Sequence, residues 1–245
     1  MKTNSKTFKL VFSGLMVALS VVLSFFEFQL PYGGAITLFN MVPLVLIAQM
    51  YGMGWGFITC TVYGFIKMAL GLNNFSYASG IESYVIIFLF DYVLAYAMIG
   101  FSGITRKIKS TPVAAALGAF IGCMLRYACH IVSGLTVWGT YAESWEAPVF
   151  VSSDLLTPEL LPYTYSVVYN GLYMIPDTII TMIGAAILCT IVFEIFKVDV
   201  NAASSKKLKA TAEENLAAAS SAAEAEAQVS AEDAANATEV EKKPE

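Results

Sequence analysis

Lys67, Asp91, Arg126, His130 and Asp177 are polar groups set within long apolar stretches. A charge held near the centre of a bilayer costs at least about 2.5–3.5 kcal/mol, so each needs a partner or a ligand. Arg126 and His130 are spaced i, i+4 and share one helical face, which Ser133 and Val137 continue, with Trp138 beside it. Asn170, Tyr173 and Asp177 form a second polar stripe. At about 1.5 Å of rise per residue, Arg126 and Asp177 both lie about 18 Å from the outer ends of their helices, and they are expected to pair as a structural staple. Asp91 and His130 lie about 15 and 12 Å from the same side and have no matched basic partner. Lys67 sits near a helix end and reads as a snorkelling residue. A carboxylate, an imidazole, an amide and several aromatics in one half of a bundle suit a small, flat, polar molecule carrying positive charge.

Other chemistries lack their residues. There is no GxxxxGK[ST] phosphate loop, no HExxH, no GxSxG and no paired-acid protease motif. His130 is the single histidine, and Cys60, Cys123, Cys129 and Cys189 lie in apolar runs without metal-ligand spacing. They read as small buried hydrophobes. No inverted repeat of the kind that marks many secondary transporters is evident.

Positioning these groups falls to apolar helices. The chain of 245 residues is 57% hydrophobic and 13% charged, against about 25% charged for soluble domains. Apolar segments over about 8–30, 39–52, 54–72, 81–104, 112–138 and 164–196 predict an all-α integral membrane protein, a bundle of six transmembrane helices. The second is short and has Pro43 near its start, so it reads as tilted or partly re-entrant. The first follows Lys2, Lys6 and Lys9 but is too long for a signal peptide and has no cleavage site, so it reads as a retained helix. With the N-terminus inside, Lys2, Lys6, Arg106, Lys107, Lys109 and Lys197 are cytoplasmic, while segments 31–38, 73–80 and 139–163 contain no Lys or Arg. Both termini are therefore expected in the cytoplasm. Residues 1–200 form the membrane domain. Residues 201–245, rich in Ala, Glu, Ser and Lys, read as a low-complexity, disordered cytoplasmic tail that holds most of the net charge of −5.

Three stretches carry a family likeness: Phe90-Asp91-Tyr92-Val93-Leu94-Ala95-Tyr96; Leu125 through Ala142, with the pattern RYxxHxxxGxxxWGxYA; and Tyr165 through Gly171. Over residues 8–197 the chain resembles the ThiT family, the thiamine-specific substrate-binding subunits (S-components) of energy-coupling factor (ECF) vitamin transporters. The resemblance implies that Asp91 pairs with the thiazolium charge of thiamine, and that His130 and Trp138 contact and stack on it. It further implies that Tyr165 and Asn170 complete the pocket and that Tyr63 lines it. The family's helix-four acid is commonly Glu and its helix-three aromatic commonly Trp, so Asp91 and Tyr63 are shorter substitutes. Phe75 and Tyr77 are candidates for a further aromatic, and Tyr32 for a lid aromatic. Gly14 and Ala18 resemble the AxxxA pair by which S-components dock on a shared membrane partner.

The resulting expectation is a multi-pass prokaryotic plasma-membrane subunit that takes thiamine from outside, with no catalytic role, cofactor, metal or nucleic-acid partner. The resemblance assigns ATP hydrolysis to two separate ABC-type ATPase subunits that act with a transmembrane coupling subunit. The alternatives are an S-component for a thiamine precursor or another small vitamin, and a membrane enzyme acting on a lipid-like substrate with Asp91 and His130 as acid and base.

Overall fold

The computed structural model describes residues 5–30 and 34–196. In order these form α1 (Lys6–Leu23), β1 (Glu27–Gln29), β2 (Ala35–Thr37), α2 (Val42–Tyr51), α3 (Met53–Leu70), α4 (Ile81–Thr105), α5 (Thr111–Thr136) and α6 (Leu161–Phe196). Short 3₁₀ turns over Leu72–Tyr77 and Trp138–Ser144 follow α3 and α5. Among the described residues, α1, α3, α4, α5 and α6 are long and apolar enough to cross a membrane. The expected tail, and Lys197, lie outside the described residues.

Side-chain distribution explains why these helices bundle as they do. On α6, Ile175, Ile179, Ile183, Ile187, Ile191 and Ile195 recur every fourth residue and are half or more exposed. The opposite stripe, Asn170, Met174, Asp177, Thr181, Ala185 and Cys189, is buried. This is the reverse of soluble amphipathicity: isoleucine faces outward, where acyl chains are as apolar as the side chain, and polar groups face neighbouring helices.

The second apolar segment is ten residues long, about 15 Å of helix, which is short of a bilayer crossing. Residues Val42 through Met50 are all buried, so α2 is a core helix surrounded by its neighbours. Pro43 stands in its first turn, where a missing N–H costs nothing. Its far end is closed by Gly52, at φ +90°, and by Arg106, which donates to the carbonyls of Gln49 (3.3 Å) and Met50 (2.8 Å). Burial lowers the pKa of Arg106, and the two carbonyls satisfy N–H donors of its guanidinium. Gln49 donates to Ser102 O (2.6 Å), Thr105 Oγ1 (2.9 Å) and Ala114 O (3.1 Å), tying α2 to the end of α4 and the start of α5. At Gly118 a Cβ would collide with the Ser102 carbonyl, so α5 can approach α4 this closely only with glycine there.

The first segment departs from its expected length. The helix ends at Leu23 rather than near residue 30, with the Ser24 N–H bonded to the Ser20 carbonyl. The Phe-Phe-Glu-Phe-Gln run that follows is rich in aromatics, which favour strand. It turns into a two-stranded antiparallel hairpin in which Glu27 faces Thr37 and Gln29 faces Ala35. Gly34 at φ +74° accepts from the Leu30 N–H at 3.0 Å and helps close the turn.

Candidate functional site

Asp91 sits in the middle of α4, where the backbone widens from α to π geometry over Ile87–Val93. Such π segments are frequent at functional sites because they shift side chains out of the regular 3.6-residue register. Here the shift buries the consecutive residues Asp91 and Tyr92, at 8% and 6% exposure. Asp91 Oδ1 accepts from the Ser133 hydroxyl, and Oδ2 accepts from the Trp138 indole N–H at 2.9 Å. His130 Nδ1 lies 3.5 Å from Oδ1, and its Nε2 has no hydrogen-bond partner among the described residues. Among the described residues, the two hydrogen bonds to the Asp91 carboxylate come from neutral donors, Ser133 and Trp138.

These groups line one cavity of about 800 Å³, closed on one side by the β1–β2 hairpin and otherwise walled by helices. The α5–α6 seam positions half of it. Ser166 donates to Ile131 O at 2.8 Å, Tyr127 to Val167 O at 2.7 Å and Asn170 Nδ2 to His130 O at 3.3 Å. Gly134 allows the approach, since a Cβ there would strike Ser166. Tyr173 donates to Asn170 Oδ1 at 2.6 Å and so orients that amide. The walls are aromatic. Tyr165, Tyr169 and Tyr173 run along α6 with neighbouring ring centroids 5.1 and 6.0 Å apart, and Trp138 meets Tyr77 at 5.4 Å.

The cavity brings together Asp91, His130, Trp138, Tyr165 and Asn170. Tyr63 lies elsewhere: it is fully buried on α3, edge-on to Tyr96 at 4.9 Å, and is absent from the cavity wall. Of the two further aromatics, Tyr77 lines the cavity, whereas Phe75 stacks between Tyr84 and Tyr92. Tyr32 lies outside the described residues. Lys67 reaches the cavity wall and donates to Ser24 Oγ at 3.2 Å, so it joins α3 to the end of α1. Gly14 and Ala18 are exposed on α1, with no atom within 4 Å of a Cβ built at Gly14. Arg126 and Asp177 are 4.0 Å apart, but Asp177 makes its closer bonds to Thr37, at 2.8 Å to N and 3.1 Å to Oγ1. Sequence reasoning missed the hairpin and its bonds to Asp177, and did not assign Tyr96 or Tyr169 to the cavity; only the repeated Tyr spacing on α6 signalled the latter.

The chain matches the family described as thiamine transporter protein (Thia_YuaJ) across residues 10–155. It belongs to that family. A thiamine transporter ThiT of Bacillus subtilis is 29% identical over 202 residues, covering 77% of this chain and 92% of the relative. A thiamine transporter ThiT of Lacticaseibacillus paracasei is 21% identical over 170 residues, covering 64% and 75%. The solved structure of ThiT from Listeria monocytogenes has the same fold, with a TM-score of 0.60 at 22% identity over 79% of this chain and 99% of that one. Membership of the thiamine transporter family makes the chain a transport protein rather than an enzyme, and with its apolar helices a multi-pass protein of the cell membrane. The family match includes Tyr63, Asp91, His130 and Trp138 and stops before Tyr165 and Asn170.

Proposed function

We propose that this chain is the thiamine-binding membrane subunit (S-component) of an ATP-driven ECF-type vitamin importer. The observation that carries the reading is the Asp91 carboxylate, buried in an aromatic-walled cavity and hydrogen-bonded, among the described residues, by the neutral donors Ser133 and Trp138. A buried carboxylate with no cation at hydrogen-bonding distance is a strong site for a cationic ring, and stacking surfaces beside it favour a flat one. In the bound state Asp91 pairs with the thiazolium, and Trp138 stacks on the ligand. His130, Tyr165 and Asn170 supply polar contacts. Tyr63 acts from behind the wall, by packing against Tyr96. An anionic vitamin would meet Asp91 unfavourably.

Transport requires partners that this chain does not supply, since it has no phosphate loop. The open face of α1 around Gly14 and Ala18 suits close packing against a transmembrane coupling subunit, to which two ABC-type ATPase subunits bind. The N- and C-termini then lie on the cytoplasmic side, and the hairpin end of the cavity faces outward.

Thiamine titration of the purified full chain, followed by tryptophan fluorescence, tests the reading. Trp138 is one of three tryptophans, with Trp55 and Trp145. Saturable quenching that is lost in Trp138→Ala and weakened in Asp91→Asn is expected. Absence of thiamine binding by calorimetry would overturn the assignment.

A further inference from the structure

Arg126 is 6% exposed, lines the cavity, and is poorly served by its surroundings. Its Nε has no hydrogen-bond partner among the described residues. Its Nη1 lies 4.0 Å from Asp177 Oδ2, the outer limit of an ion pair, and 3.8 Å from the thioether of Met41, a weak acceptor. The ring of Tyr96, 5.0 Å from Cζ, attracts the charge but directs no lone pair at an N–H. The carboxylate that should satisfy the guanidinium is drawn away: Asp177 takes both the N–H and the hydroxyl of Thr37 on the hairpin. A guanidinium has five N–H donors in a fixed fork, and leaving donors unmade in a buried site is costly. The cavity is the direction in which an acceptor can arrive.

We infer that Arg126 receives an oxygen acceptor of the bound ligand, so that the ligand lies oriented between the Asp91 carboxylate at its cationic ring and the Arg126 guanidinium at its oxygen. The inference rests on the thiamine reading and deepens it. In thiamine the acceptor is the hydroxyl oxygen of the two-carbon arm on the thiazolium ring. The spacing suits this. Asp91 lies beside His130, and Arg126 precedes His130 by one turn of α5, about 6 Å along the axis. A two-carbon arm ending in oxygen spans that separation from the ring. Arg126 is therefore a specificity-determining residue as well as a neighbour of Asp177. Reversing the ligand would place its cation against the guanidinium, so the pair of opposite charges also disfavours the reversed pose.

The test compares thiamine with an analogue whose hydroxyethyl arm is replaced by ethyl, by calorimetry on the full chain in detergent. The wild type is expected to bind the ethyl analogue about tenfold or more weakly, the size of a hydrogen bond to a charged group. In Arg126→Met the two compounds are expected to bind within about twofold of each other. Arg126→Lys, which keeps the charge but loses the fork, should show intermediate discrimination, and it serves as the second variant if Met destabilises the fold. Equal affinities in the wild type overturn the inference without any variant. Full wild-type discrimination in Arg126→Met and Arg126→Lys also overturns it and leaves Arg126 as a scaffold partner of Asp177. Failure of the wild type to bind either compound is a different result: it overturns the thiamine reading, and the assignment of Arg126 falls with it.

Discussion

Trp138 and Ser133 act on Asp91 before any ligand does. Each takes one carboxylate oxygen, which fixes the plane of the group. Asp91→Asn keeps the shape and removes the charge. It should weaken thiamine binding by about 3 kcal/mol or more, the scale of a buried ion pair that loses one member, and titration calorimetry reads this directly. Ser133→Ala removes one donor and leaves the charge. A loss of about 1–2 kcal/mol is expected, and Ser133→Thr, which restores a hydroxyl, should recover part of it. If Ser133→Ala binds as tightly as the wild type, the serine does not position the carboxylate. The residue scale also shows what a sequence conceals. Tyr63 and Trp138 are both aromatics in apolar runs, yet only Trp138 reaches the cavity, because Tyr63 is enclosed beside Tyr96.

The hairpin is the element that joins the cavity wall to α6. Thr37 holds Asp177 by two bonds, and Gly34 lies against the ring of Tyr173. Thr37→Val should loosen this attachment by about 1–3 kcal/mol. It is expected to raise the dissociation rate of thiamine by tenfold or more in stopped-flow fluorescence, with little change in the thermal stability of the helices. Gly34→Ala should act in the same direction more strongly, because alanine is strained at φ +74° and its Cβ would meet Tyr173. Unchanged dissociation in both variants would show that the hairpin does not control exit. Helix packing behaves differently. Gly118→Leu on α5 forces a side chain into the Ser102 carbonyl and the Gln49 amide. It should lower thermal stability by several degrees, as overpacking by about 1–3 kcal/mol does.

At the scale of the molecule, the proposed function assigns ligand binding and partner docking to different surfaces. The cavity draws on Ser24 and Phe25 just after α1, on the hairpin, α3, α4, α5 and α6, and on the two 3₁₀ turns, whereas Gly14 and Ala18 lie on an open face. Gly14→Leu combined with Ala18→Leu is expected to leave thiamine affinity within about twofold while reducing uptake in cells by tenfold or more. Loss of affinity in the purified double variant would contradict that separation. Deleting residues 201–245 should leave thiamine affinity unchanged, because every described cavity residue precedes residue 174. Calorimetry on the shortened chain checks this.

Composition and order alone determined that this is a helical membrane protein, because an apolar run near 20 residues has few other stable environments. They also determined the costly groups, Asp91, Arg126, His130 and Asp177, since a charge in an apolar helix is conspicuous wherever it lies. The pattern RYxxHxxxGxxxWGxYA and its companions were enough to mark the family before any coordinates, and the family match over residues 10–155 includes that pattern. Tertiary structure decided the rest. It ended α1 at Leu23 and folded the next residues into a hairpin, because strand pairing depends on a partner six to ten residues away and leaves no helical period to read. It made the second apolar segment a core helix, since burial on all sides looks the same in sequence as a short crossing. It introduced the π segment that brings Asp91 and Tyr92 in together, a change of register that no local propensity announces. Above all it chose the partners: equal depth along two helices suggested that Arg126 and Asp177 pair, but only the docking of Thr37 onto Asp177 determined which charge stays satisfied within the fold and which has donors left for a ligand.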